Sequence, residues 1–247
     1  MEHMTSQPTT PASGLAHGRR QSRPGKKPSA SPTRDRPNVR GDETRELILV
    51  TAERLFAERG IAAVPLREIA IAAGQKNKIA VQYHFGDRDA LVTEVAAYRA
   101  EFVEELRVEL LAEIVSSSGQ PEVRQFVRSF VLSLASNLVE HNHYLAFLAR
   151  YIVERGGYWG LADAVSSGTV VTLRKILNRL LPDLREGVIE ERWEILMESA
   201  IHALARYQTE LESDSLPAPL EDLLDDLIRF LTAGLVAPCS TSAQPGS

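Results

Sequence analysis

Apolar positions recur at helical spacing along most of the chain, and no stretch alternates in the way a strand does. In "GDETRELILVTAERLFAERG", Leu47, Ile48, Thr51, Ala52, Leu55 and Phe56 form one stripe. Asp42 is placed to cap that helix, and Gly60 sits where a left-handed stop is wanted. A second, short helix is predicted from about Pro65 to Ala73. Pro65 suits its first turn, Leu66, Ile69, Ala70 and Ala73 form its buried face, and Gly74 ends it. A third spans Lys78 to Phe85. Gly86-Asp87 then breaks the chain, and Asp87 caps a long helix running to about Val115.

The remainder also reads as helices. "PEVRQFVRSFVLSLASNLVEH" begins with a proline in a helix-starting position, and "HYLAFLARYIVER" follows after a minimal break. "GGYWG" is a loop, and "VSSGTVVTLRKILNRLL" stops at Pro182. The segment 186–212 puts Ile189, Trp193, Leu196, Met197, Ala200, Leu204 and Tyr207 on one broad face. The segment 219–235 puts Leu220, Leu223, Leu224, Leu227, Ile228 and Leu231 on one side, with Glu221, Asp222, Asp225 and Asp226 on the other. The expected class is all-α.

Composition adds boundaries. Residues 1–40 are dominated by Pro, Ser, Thr, Gly and Arg, so they read as a disordered basic tail. Residues 237–247 read as a second disordered tail. The chain carries −5 overall, unevenly spread. Residues 1–40 hold eight basic against two acidic side chains, a balance of +6. Residues 41–90 stand at −1, and residues 91–247 at −10. A cationic front on an anionic body would meet a polyanion in one orientation. The single cysteine, Cys239, excludes an internal disulfide and a thiolate cluster. No apolar run reaches membrane-spanning length, and no apolar core follows the basic N-terminus as in a secretory leader. A cytoplasmic protein without a membrane partner is expected.

The chemistry concentrates in "KNKIAVQYHFGDR". Three helices in about fifty residues, the last two joined through a glycine turn, make a helix-turn-helix. In that arrangement the third helix lies in the major groove and the second spans the backbone. Asn and Gln suit adenine, Lys and Arg suit guanine or phosphate, and Tyr and His can bond phosphate oxygens. The alternative reading of "KNK" by itself is a solvated turn.

Taken together, "ETRELILVTAERLFAERG", "LREIAIAAG" and "VQYHFGDRDAL" resemble the N-terminal domain of the TetR family of transcriptional repressors. The resemblance covers about residues 43–95. It implies a three-helix helix-turn-helix DNA-binding domain at 41–90 and a larger helical ligand-binding and dimerisation domain at 91–236. By position it implies DNA contacts from Arg67, from Gln82, Tyr83 and His84 on the reading helix, and from Arg88 at the start of the next helix. Lys76, Asn77 and Lys78 belong to the same expected surface. Two departures stand out: the stretch from Gly74 to Phe85 is one residue longer than the common pattern, and Gln82 stands where Tyr is frequent. They leave the register of Lys76 to Lys78 open.

The implied partners are a double-stranded, palindromic operator, a small-molecule effector that releases it, and a second copy of the chain. The last two long helices would pair with their twins, unless both apolar faces pack within one subunit. Candidate effector contacts are His143, Tyr144, Arg150, Tyr151, Trp159 and His202. For Arg150 the competing reading is a salt bridge to Glu154; for Tyr151 and Trp159 it is core packing. His141 and His143, two apart on a helix, would point apart and make a poor metal pair. There is no phosphate loop, nucleophile elbow or metal-spaced set, so neither an enzyme nor a cofactor is expected. The alternative function is a helical dimeric ligand-binding or protein-interaction module without sequence-specific DNA binding.

Overall fold

The structure, a computed structural model, describes residues 39–117, 119–157 and 168–239. The expected tail at 1–40, apart from its last two residues, lies outside them, as do Trp159 and residues 240–247. Among the described residues there are nine helices and no strand. They are α1 (Val39–Arg59), α2 (Leu66–Ala72), α3 (Ala80–Phe85), α4 (Arg88–Ser116), α5 (Val123–Ala135), α6 (Tyr144–Arg155), α7 (Gly168–Leu180), α8 (Glu186–Glu212) and α9 (Leu220–Val236). None is long and apolar enough to cross a membrane.

The all-α reading holds, with local corrections. Helix α1 begins at Val39, so Asp42 lies in its first turn rather than capping it. A carboxylate there still favours the helix N-terminus electrostatically. Gly60 and Gly74 adopt φ of +91° and +67°, as a left-handed stop requires. Asp87 caps α4 by accepting from the Ala90 N–H at 2.9 Å. Helix α5 stops at Ala135, well short of His141. There the amides of Asn137 and Asn142 bond to each other at 3.0 Å, Asn137 donates back to the Leu134 carbonyl, and His141 turns to φ +63°. Asparagine side chains compete for the backbone in this way and end helices.

The front of the chain packs α1, α2 and α3 against the start of α4. Ile48, Phe56, Ile69, Val81 and Leu91 are all fully buried there. Behind it, α6 lies between α1 and α8, while α5 lies between α4 and α9. Trp193 of α8 sits at the centre of that body, edge-on to Phe130 of α5 with ring centroids 5.2 Å apart. The broad face predicted for α8 packs within the subunit: Ile189, Trp193, Leu196, Met197, Ala200, Leu204 and Tyr207 are buried. On α9, Leu227, Ile228 and Leu231 are buried, while Leu220, Leu223 and Leu224 are half-buried against the same core. The faces left outward are different ones, carrying Ile195 and His202 on α8 and Phe230 on α9.

Candidate nucleic-acid interface

Helix α3 is six residues long, too short to persist in water without tertiary contacts. Its inner face supplies them: Ala80, Val81 and Phe85 are buried. Burying a Val or Phe side chain is worth about 1.5–3 kcal/mol. The guanidinium of Arg45 on α1 lies 5.1 Å over the Phe85 ring and pairs with Glu94 of α4. One side chain thus fixes the C-terminal end of α3 between two longer helices. The N-terminal end is set by Asn77, whose Oδ1 accepts from the Ile79 N–H at 3.1 Å while its carbonyl accepts from Ala80 N at 3.1 Å.

What remains outside is polar and aromatic. Tyr83 is 84% exposed, and Gln82 lies beside it in the open. His84 is half-buried, edge-on to Tyr83 at 5.2 Å. Lys76, Asn77 and Lys78 are all exposed in the turn before α3, and Arg67 is exposed on the first turn of α2. The helix starts at Ala80, two residues later than the pattern predicted, so Lys78 belongs to the turn.

Arg88, expected to contact DNA from the start of the next helix, is the first residue of α4. Its Nη1 donates to the carbonyls of Ile61 (3.3 Å) and Ala62 (2.7 Å), and the side chain is half-buried. Two further surface residues escaped the sequence reading. Ile79 and Ile71 are both more than half exposed beside the polar set. The available signal was a β-branched residue outside the apolar stripe of α2 at Ile71, and a lone apolar residue within the polar turn before α3 at Ile79. Apolar groups in such positions can contact thymine methyls.

The effector candidates do not converge. Tyr144 and Tyr151 are buried core residues. His143 lines an open cleft of about 590 Å³ with His141, Glu140, Gln208 and Glu212. The two histidines precede α6 in a turn and share that cleft, contrary to the helical expectation. No group of three metal-ligating side chains is assembled among the described residues. His202 is exposed on α8 and bonds the Glu198 carbonyl at 2.9 Å. Arg150 reaches the Ala57 carbonyl at 3.4 Å rather than Glu154, whose carboxylate is engaged elsewhere. A buried polar cluster inside the body was missed: Arg107 is 4% exposed, donates to Ser133 Oγ (3.0 Å), Glu104 (3.1 Å) and Thr169 Oγ1 (3.3 Å), and lies over Phe130. Its signal was an arginine set among the apolar positions of α4.

Comparison with known proteins bears on both halves. Residues 48–95 match the profile of bacterial regulatory proteins of the tetR family. Residues 124–234 match a tetracyclin repressor-like C-terminal domain. The chain belongs to the TetR family. Two curated relatives from Shigella flexneri are the HTH-type transcriptional regulator AcrR, 38% identical over 71 residues, and the HTH-type transcriptional dual regulator CecR, 31% identical over 104 residues. These matches cover 29% and 41% of this chain and span only 33% and 45% of the relatives. Among solved structures, a TetR family transcription regulator from Marinobacter aquaeolei aligns over 79% of this chain and 97% of its own, with a TM-score of 0.56 and 12% identity. The fatty acid degradation regulator FadR from Bacillus halodurans aligns over 82% and 98%, with a TM-score of 0.53 and 13% identity. At those identities the likeness establishes a shared TetR fold.

Proposed function

We propose that this TetR-family chain is a DNA-binding transcriptional repressor that reads a palindromic operator as a homodimer and is released by a small molecule. The observation that carries the reading is α3 itself. One face is locked into the core by Val81 and Phe85, and the other presents Gln82 and Tyr83 beside exposed Arg67, Lys76 and Lys78. A rigid platform with long donors pointing outward suits base-edge and phosphate contacts. Residues 41–90 act as the reading unit and residues 91–236 as the body. The reading unit is not net basic, so affinity depends on local placement, on two units acting together, and on salt.

The second copy docks on the outward faces of α8 and α9. Phe230 is 72% and Ile195 54% exposed there, large apolar groups on the two helices that pair in this family. Effector release follows if a ligand in the body binds the non-operator arrangement more tightly, since a ligand shifts such an equilibrium only by its difference in affinity.

Selection from a random duplex library by the full chain tests the proposal. Enrichment of a consensus with two-fold symmetry is expected. Rounds that enrich nothing would leave a helical module that does not read sequence.

A further inference from the structure

The turn between α1 and α2 is held from two sides by charged groups. Glu154, in the last turn of α6, accepts from the Ile61 N–H through Oε1 (3.1 Å) and from the Ala62 N–H through Oε2 (2.9 Å). Arg88, the first residue of α4, donates to the carbonyls of the same two residues. Two successive residues thus have their backbone donors taken by one element and their backbone acceptors by another. Hydrogen bonds with an ionised partner are roughly twice as strong as neutral ones.

Gly60 completes the arrangement. It adopts φ +91°, and a Cβ there would sit 2.7 Å from Glu154 Oε1. The carboxylate approaches this closely only because that carbon is missing. Beside the turn, Arg155 of α6 pairs with Asp89 of α4 at 2.6 Å. Helix α6 then ends at Gly156, at φ +82°.

We propose that Glu154 is a positioning residue for DNA reading: with Arg88 it clamps the α1–α2 turn, and so sets the angle at which each body presents its reading unit. This rests on the DNA-reading function proposed above. The last turn of α6 belongs to the body, but its carboxylate grips the reading unit 93 and 92 residues earlier in the chain. Any shift of that helix end is passed to α2 and α3 through two charge-assisted bonds. A bond that served only to hold the fold together would affect every duplex alike. A clamp that sets the angle matters only when two reading units must match two half-sites at once.

The test compares Glu154→Ala with wild type on two duplexes, one carrying both half-sites of the selected operator and one carrying a single half-site. Loss of about ten-fold or more in affinity on the two-half-site duplex, within the usual range of couplings between sites, is expected. The single half-site should change by less than about two-fold on the same reasoning. Glu154→Gln keeps the shape and one full acceptor, and should fall between the two proteins. It also serves as the reading if the alanine variant does not fold. Amide hydrogen exchange at Ile61 and Ala62 should accelerate in either variant. Equal losses on both duplexes, or no loss on either, would overturn the clamp. If wild type binds neither duplex selectively, the DNA-reading function itself has failed and takes the clamp with it, a result the variants are not needed to see.

Discussion

Replacing Glu53 with alanine should unsettle the whole contact between the front of the chain and the body. Glu53 is on α1 and its side chain is 1% exposed. One carboxylate oxygen accepts from Arg99 Nε of α4 at 3.1 Å, and the other from the backbone N–H of His143, at the start of α6, at 3.1 Å. Three helices therefore meet at one buried carboxylate. The alanine variant leaves the His143 N–H without its acceptor; His143 is half-buried, and within the range of about 1–3 kcal/mol for an unsatisfied donor the cost is about 2 kcal/mol. Arg99 is a quarter exposed, so water recovers part of its loss and about 1 kcal/mol remains. Relief of the buried charge offsets some of this, and the space left by the carboxyl adds some back. The net expectation is about 3 kcal/mol. For a chain of 247 residues, at about 2–4 °C per kcal/mol, Tm should fall by about 6–12 °C. Glu53→Gln keeps one oxygen for His143 and should lose about half as much. The assay is thermal and urea unfolding at one fixed protein concentration, because the stability of the proposed dimer would vary with concentration. An alanine variant within about 1 kcal/mol of wild type, or a glutamine variant less stable than it, would refute the reasoning.

Three other outcomes are expected. Val81→Ala, which removes two carbons from a fully buried position on the inner face of α3, should cost about 2 kcal/mol by unfolding and weaken operator binding further by loosening the platform. Phe230→Glu should shift the protein toward monomer in sedimentation velocity while leaving its circular dichroism unchanged; an unaltered dimer would remove the outward face of α9 from the interface. The third concerns alkaline pH. Burial raises the Tyr98 phenol above its ordinary value, and its hydrogen bond to Glu46 (2.6 Å) adds to the shift. The folded chain then holds that proton to higher pH than the unfolded chain does. Its contribution is fully present below about pH 10 and is lost as pH rises through the folded value. Tyr98→Phe should flatten that part of the stability profile, read by urea unfolding between pH 9 and 11.

Periodicity gave the helices because most of them bury a single stripe, and end signals such as Gly60, Gly74 and Asp87 are local. The exposed set on α3 was legible for the same reason: Gln82 and Tyr83 stand between buried neighbours Val81 and Phe85. Three kinds of feature were not legible. The end of α5 depends on Asn137 and Asn142 bonding across five residues, which a stripe does not reveal. The outward faces of α8 and α9 could not be told from the inward ones, because each helix carries apolar residues on more than one side. The polar ties that hold the front to the body join residues 46 to 93 positions apart. Short spacing even misled there: Glu154 one turn after Arg150 suggested a local salt bridge, but two backbone N–H groups bind that carboxylate instead.

The most direct test of the central claim is a fluorescence-anisotropy titration of wild type and Tyr83→Ala on the selected duplex and on a scrambled copy, over a salt series. Tyr83 is 84% exposed, so its removal should leave stability within about 0.5 kcal/mol of wild type. The account predicts that wild type prefers the selected duplex by about a thousand-fold or more, that affinity falls with salt on both duplexes, and that Tyr83→Ala loses most of the preference. Equal, salt-labile binding of wild type to both duplexes, unchanged by the substitution, would contradict it.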